Sequence, residues 1–67
     1  MNQIDARGYS CPEPVLMTKQ ALKKYGVPLQ VLVDGETPLE NVTRLATNGG
    51  YKVSHREVDG DYEITIS

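Results

Sequence analysis

Leu29-Gln30-Val31-Leu32-Val33 is the stretch that most constrains what this chain can form. Apart from Gln30 it is a continuous apolar run, rich in β-branched side chains, and Asp34-Gly35 closes it. Such a run reads as a buried central strand ending in a turn. The remainder of the chain must provide its neighbours and its cover.

On the amino-terminal side, Asn2 to Ala6 carries one strong apolar residue, Ile4, and reads as a short or edge strand. Gly8 allows a turn or a close backbone approach. From Pro14 to about Tyr25 the period is helical. Val15, Thr18, Ala21, Leu22 and Tyr25 share one face, and Lys19, Gln20, Lys23 and Lys24 fall mostly on the other, with Leu16 on the lysine side. Gly26 and Pro28 stop this helix.

Beyond the central run, Thr37-Pro38-Leu39-Glu40 has the form of a capping box with Pro at the first helical position. Leu39, Val42, Leu45, Ala46 and Gly49 then trace a helical face up to the stop at Asn48-Gly49-Gly50. Tyr51, Val53 and, less regularly, His55 alternate with polar residues as in a half-buried strand, with His55 read as a surface histidine. Asp59-Gly60 is a hairpin turn, and Tyr62, Ile64 and Ile66 form the partner strand. The order is β-α-β-α-β-β. It predicts an α+β fold: a two-layer α/β sandwich with two helices on one face of a four-stranded mixed sheet. The final hairpin must be antiparallel. The other face of the sheet is left partly open, to be solvated or to bind something.

With 67 residues the chain is expected to be a single domain, residues 1–67, with an economical core. One cysteine cannot make an internal disulfide, and a lone thiol suits a reducing cytoplasm. No leader or membrane-spanning apolar run is evident. The net charge of −2, with no basic-aromatic interleaving, argues against a nucleic-acid surface.

The chemistry points to Ser10-Cys11-Pro12-Glu13-Pro14. Ser10 and Glu13 have capping-box spacing, and Cys11-Pro12 alternatively reads as N-cap followed by the first helical residue. Either register sets the sulfur within one turn of the positive end of a helix, where a thiolate is favoured. Buried cysteines are common, but Cys11 is outside both apolar stripes. Glu13 reads as a helix-capping acid and, as an anion, opposes the thiolate. Arg7 is the nearest cation, either a stabiliser of a thiolate or a solvated loop charge.

Most cysteine enzymes need more than this. His55 is the only histidine and sits far along the chain on a strand, so a Cys–His pair is not indicated. No second cysteine can resolve a dithiol. One Cys, one His and scattered carboxylates make a poor metal set, so neither metal nor cofactor is expected. What remains is a thiol that accepts and passes on a group.

Asp5, Gly8, Cys11-Pro12-Glu13-Pro14 and the element order resemble the TusA/SirA/YedF family of small sulfur-handling proteins. The likeness covers essentially the whole chain, and its specific part is Cys-Pro-x-Pro at a helix start preceded by Asp-x-x-Gly. It implies a sandwich like the carboxy-terminal domain of bacterial translation initiation factor 3. It also implies a carrier whose Cys11 bears a persulfide sulfur, with Pro12 and Pro14 as shaping residues. Glu40-Asn41-Val42-Thr43-Arg44 and Gly50-Tyr51-Lys52-Val53 look more like the amino-terminal domain of YedF-type proteins linked to selenium metabolism. The implied partners are a cysteine desulfurase or other persulfide donor and a downstream sulfur-relay protein or second domain.

The leading expectation is therefore a sulfur or selenium carrier acting at Cys11, with Leu16, Lys19, Lys23 and Lys24 as a donor-docking face. A non-catalytic interaction module docking through the basic face of the first helix is the alternative. An RNA-binding domain, suggested by the fold alone, ranks third.

Overall fold

Residues 2–9 and 13–67 are described by the structure, a computed structural model. Strand β1 (Asn2–Asp5) is followed by α1 (Glu13–Tyr25), β2 (Leu29–Val33), α2 (Glu36–Asn48), β3 (Val53–Val58) and β4 (Asp61–Ile66). The sheet order is β1-β2-β4-β3. β2 is internal, parallel to β1 and antiparallel to β4, and β3 closes the far edge antiparallel to β4. The predicted α+β sandwich is the one observed. Its layering follows from packing: α1 lies against β1 and β2, α2 against β4 and β3, and the two helices touch each other.

Strand alternation decides which side chains the helices cover. Leu29, Val31 and Val33 of β2 and Ile64 and Ile66 of β4 point to the helix side and are fully buried. They are joined there by Val42 and Ala46 of α2, Ala21 of α1, Leu39 and Ala6. Register places Ile4 beside Val31, and Val31 beside Ile64, so one row of the core crosses three strands.

The opposite face of the sheet is polar. Gln3 Nε2 donates to Gln30 Oε1 at 3.4 Å, and Gln30 Nε2 donates to Glu63 Oε1 at 3.3 Å. Arg56 Nε donates to that same carboxylate oxygen at 3.0 Å. These side chains form a ladder across all four strands, so the uncovered face presents amides and charges. Leu32, half-buried, and Val58, exposed at the end of β3, interrupt it.

Four local expectations are corrected. The N-cap of α2 is Gly35, in extended backbone with no side-chain cap hydrogen bond, and Thr37 is already inside the helix. Leu39 N–H donates to the Gly35 carbonyl at 3.2 Å, closing the first turn. Pro38 misleads because any position of the first turn tolerates proline: none of those N–H groups has an intrahelical partner. In α1 the buried stripe is Pro14, Thr18 and Ala21. Tyr25, expected on that stripe, is half exposed with Lys24 Nζ 5.2 Å from its ring centroid. Gly49 is exposed at the C-cap of α2. There the Gly50 N–H donates to Thr47 and the Tyr51 N–H to Ala46, the Schellman pattern. Finally, Tyr51 lies outside β3 and is exposed, while His55 is exposed on that strand, as its reading as a surface histidine expects.

The hairpin forms where expected. Asp59 and Gly60 both have positive φ, 53° and 85°, as a two-residue type I′ connection requires.

Candidate functional site

Ser10, Cys11 and Pro12 lie outside the described residues, and so do the capping-box and N-cap readings that depend on them. The site is therefore built from the residues that flank the cysteine on both sides. β1 and β2 run parallel, so their carboxyl ends reach the same edge of the sheet, and antiparallel β4 begins there. Asp5, Arg7, Gly8, Asp34 and Asp61 gather at this edge.

The β1 ladder continues one residue past the strand: Ala6 N–H donates to the Leu32 carbonyl at 2.8 Å, and Ala6 is fully buried. The chain then turns at Gly8, whose φ is +84°. Gly8 N–H donates to Asp34 Oδ2 at 2.8 Å, tying the start of the cysteine segment to the β2–α2 connection. The expected turn at Gly8 is thus present, and backbone conformation explains the residue type. A Cβ built there would meet nothing within 4 Å.

Arg7 is exposed, and its side chain is hydrogen-bonded to two carboxylates. Its Nε and Nη2 donate to the two oxygens of Asp5 at 2.9 and 2.8 Å, and its Nη1 donates to Asp61 Oδ2 at 3.1 Å. Its backbone N–H also donates to Asp5 Oδ1, at 3.0 Å. The guanidinium therefore clamps the end of β1 to the start of β4, past the end of β2. Its hydrogen bonds hold the Asp5 carboxyl down at about 2, well below the usual carboxylate range. Asp5, and then Asp61, raise Arg7 in turn. One cation between two carboxylates leaves this cluster net negative. It braces the fold at the root of the cysteine segment.

On the far side of the cysteine, Glu13 is exposed at the first residue of α1, where an acid complements the helix dipole. Pro14 is fully buried. Its carbonyl accepts a hydrogen bond from Thr18 Oγ1 at 2.8 Å, which satisfies a hydroxyl with no solvent exposure. The segment bearing Cys11 thus ends on a residue locked into the core.

The lysines do not form one face. Lys19 and Lys23 line a groove of about 270 Å³ between the helices, with Leu22, Leu45, Gly49 and Tyr51. Lys24 belongs to a separate groove on the β1 side, with Ile4, Met17 and Gln20. The reason is helical geometry: residues four apart share a side and residues five apart do not. Leu16, 50% exposed, precedes Lys19 by one helical turn. A further groove, about 410 Å³ between α2 and β3, is lined by Arg44, Thr43 and His55 among others, and His55 comes from the far edge strand.

Sequence reasoning missed Asp34 and Asp61 as parts of this edge. Asp34 was readable only as a turn residue and Asp61 only as the end of a hairpin. Both are brought to Arg7 and Gly8 by strand order, for which the sequence has no local signal.

Comparison with known proteins agrees with this architecture. A family model for Sulfurtransferase TusA matches residues 2–67. A candidate sulfur carrier protein of Methanocaldococcus jannaschii is 46% identical over 69 residues, spanning 98% of this chain and 92% of that protein. The crystal structure of a SirA-like protein from Desulfitobacterium hafniense superposes with a TM-score of 0.92 at 38% identity, covering 98% of this chain and 95% of the other. The family match, running from the first residue of β1 past the end of β4, shows that this chain belongs to the TusA sulfurtransferase family.

Proposed function

We propose that this protein is a sulfur carrier whose Cys11 accepts sulfur from a persulfide donor and passes it to a later acceptor. The family membership and the sulfur-carrier relative support a role among sulfur-transfer partners. The observation that carries the residue assignment is the treatment of the chain around its single thiol. Gly8 is hydrogen-bonded to Asp34 before it, and Pro14 is buried after it.

The transfer step balances without an external oxidant. The Cys11 thiolate attacks the terminal sulfur of a donor persulfide. The donor S–S bond breaks, its pair of electrons leaves on the donor thiolate, and a new S–S bond forms on Cys11. Release repeats the exchange with Cys11 as the leaving thiolate. No base or resolving cysteine is needed, in keeping with the lack of either nearby in sequence. Pro12 and Pro14 shape the segment, Asp5 and Arg7 brace its root, and Glu13 caps α1.

A cysteine desulfurase fits as donor, and a downstream relay protein or a second domain as acceptor. Selenium would follow the same exchange chemistry. Lys19 and Lys23, with Leu16, form the docking strip; Lys24 lies apart from it. A reducing cytoplasm suits a free thiol, and no helix among the described residues is long and apolar enough to cross a membrane. Residues 1–67 act as one domain in this reading.

The test is intact mass after incubation with a cysteine desulfurase and cysteine. Wild type is expected to gain one sulfur that reductant removes, and Cys11→Ser, nearly isosteric, is expected to fold and gain none. Sulfur retained by the serine variant would overturn the assignment. A partner that binds wild type and Cys11-alkylated protein equally, with no sulfur gained by either, would favour the docking-module reading.

A further inference from the structure

We infer that Asp34 is a positioning residue for sulfur exchange at Cys11, acting through the Gly8 amide; this rests on the carrier reading above. Chain length makes the argument. Gly8 and Pro14 each stand three positions from Cys11 in sequence, so neither anchor is more than about 11 Å of chain from the thiol-bearing residue. The two anchors differ in kind. Pro14 is held by complete burial and by the Thr18 hydroxyl, so it cannot be released without disturbing the core. Gly8 is exposed and has no side chain, so its position depends on its own backbone.

Its N–H donates to a residue outside its own segment, Asp34, whose Oδ2 accepts at 2.8 Å. The acceptor is well supported. Asp34 directly follows β2, the strand bonded on both sides, and directly precedes Gly35, the N-cap of α2. The Arg7 clamp lies one residue earlier and fixes the end of β1. It leaves the turn at Gly8 to Asp34. The geometry also suits a charged acceptor, since an ionised carboxylate makes a shorter and stronger bond to an N–H than a neutral oxygen does.

A donor persulfide on another protein must meet the Cys11 sulfur in a defined direction, whereas a small electrophile approaches from anywhere. Loss of positioning therefore slows the first reaction and spares the second. This difference separates positioning from activation of the thiol and from general destabilisation.

The experiment compares wild type, Asp34→Ala and Asp34→Asn. The readouts are rate of sulfur loading from a cysteine desulfurase, rate of alkylation by iodoacetamide above the thiol pKa, and exchange of the Gly8 amide proton. Asp34→Ala is expected to load roughly 3- to 10-fold more slowly, the effect of losing one hydrogen bond. Its alkylation should stay within about 2-fold and its Gly8 amide should exchange faster. Asp34→Asn, which retains an acceptor oxygen, should recover most of the loading rate. Wild-type loading by Asp34→Ala would overturn the inference and leave the carrier reading intact. Equal slowing of loading and alkylation would also overturn it, and so would failure of Asn to rescue. Absence of loading in wild type would overturn both.

Discussion

Replacing Gly8 with alanine tests the root of the site with few competing effects. The substitution adds a Cβ that would meet no atom within 4 Å, so there is no steric clash to relieve and no cavity to fill. The amide that donates to Asp34 remains. What changes is the cost of holding φ at +84°. An L-residue in the left-handed region pays about 1–2 kcal/mol relative to the right-handed one. Alanine also restricts the unfolded chain, which returns about 0.4–1 kcal/mol. The net loss is therefore about 1 kcal/mol, set against about 3–10 kcal/mol for a domain of this length. For a chain of this size that corresponds to a fall in Tm of about 4–8 °C. Gly8→Asn should lose less, because asparagine visits the left-handed region more readily. The assay is thermal and urea denaturation followed by circular dichroism, with the urea slope checked to be unchanged. An alanine variant as stable as wild type would refute the reasoning, since the left-handed turn would then not be held in the folded protein. Equal losses for alanine and asparagine would do so as well.

Four further outcomes follow from particular residues. Thr37→Ala should leave the denaturation midpoint within about 0.5 kcal/mol of wild type, because Gly35 and not Thr37 is the cap. Gly35→Asp, which brings a side-chain acceptor to an extended backbone, should stabilise by a few tenths of a kcal/mol or more, as the midpoint will show. The Asp5 carboxyl is held down at about 2 by Arg7, so its contribution is present in full above the unfolded value of 3.8. It is lost as pH falls from about 4 to about 2, so the Tm difference between wild type and Asp5→Asn should shrink across that window; a constant difference would contradict the pairing. Reversing charge at Lys19 and Lys23 together should slow loading by about tenfold at low salt and much less at high salt, while Lys24→Glu should act weakly, as stopped-flow loading will show. Equal effects at all three lysines would restore a single basic face.

Much of the fold was legible because its signals are local. The run Leu29–Val33, the alternation of Tyr62, Ile64 and Ile66, and the Asp59-Gly60 turn are fixed by side-chain chemistry and backbone preference within a few residues. The same holds for the turn at Gly8 and for the helical period of both helices. Signals that several positions satisfy equally were misread. Proline is tolerated throughout a first helical turn, so Thr37-Pro38 could not locate the cap, and a helical stripe does not say where burial stops, so Tyr25 was placed too far inward.

The candidate site divides along the same line. The sequence by itself supplied the residues of the proposed chemistry: one thiol, two prolines beside it and a preceding glycine. Tertiary structure alone decided what Arg7 does. Asp5 is two residues away in sequence, but Asp61 is 54 residues away and Asp34 lies 26 beyond Gly8. Only the strand order β1-β2-β4-β3 brings those carboxylates to one edge of the sheet. Strand order is set by which apolar faces pack together over the whole chain, a property that no short stretch of residues carries, so a cation that looked free in the sequence is spent on two carboxylates in the fold.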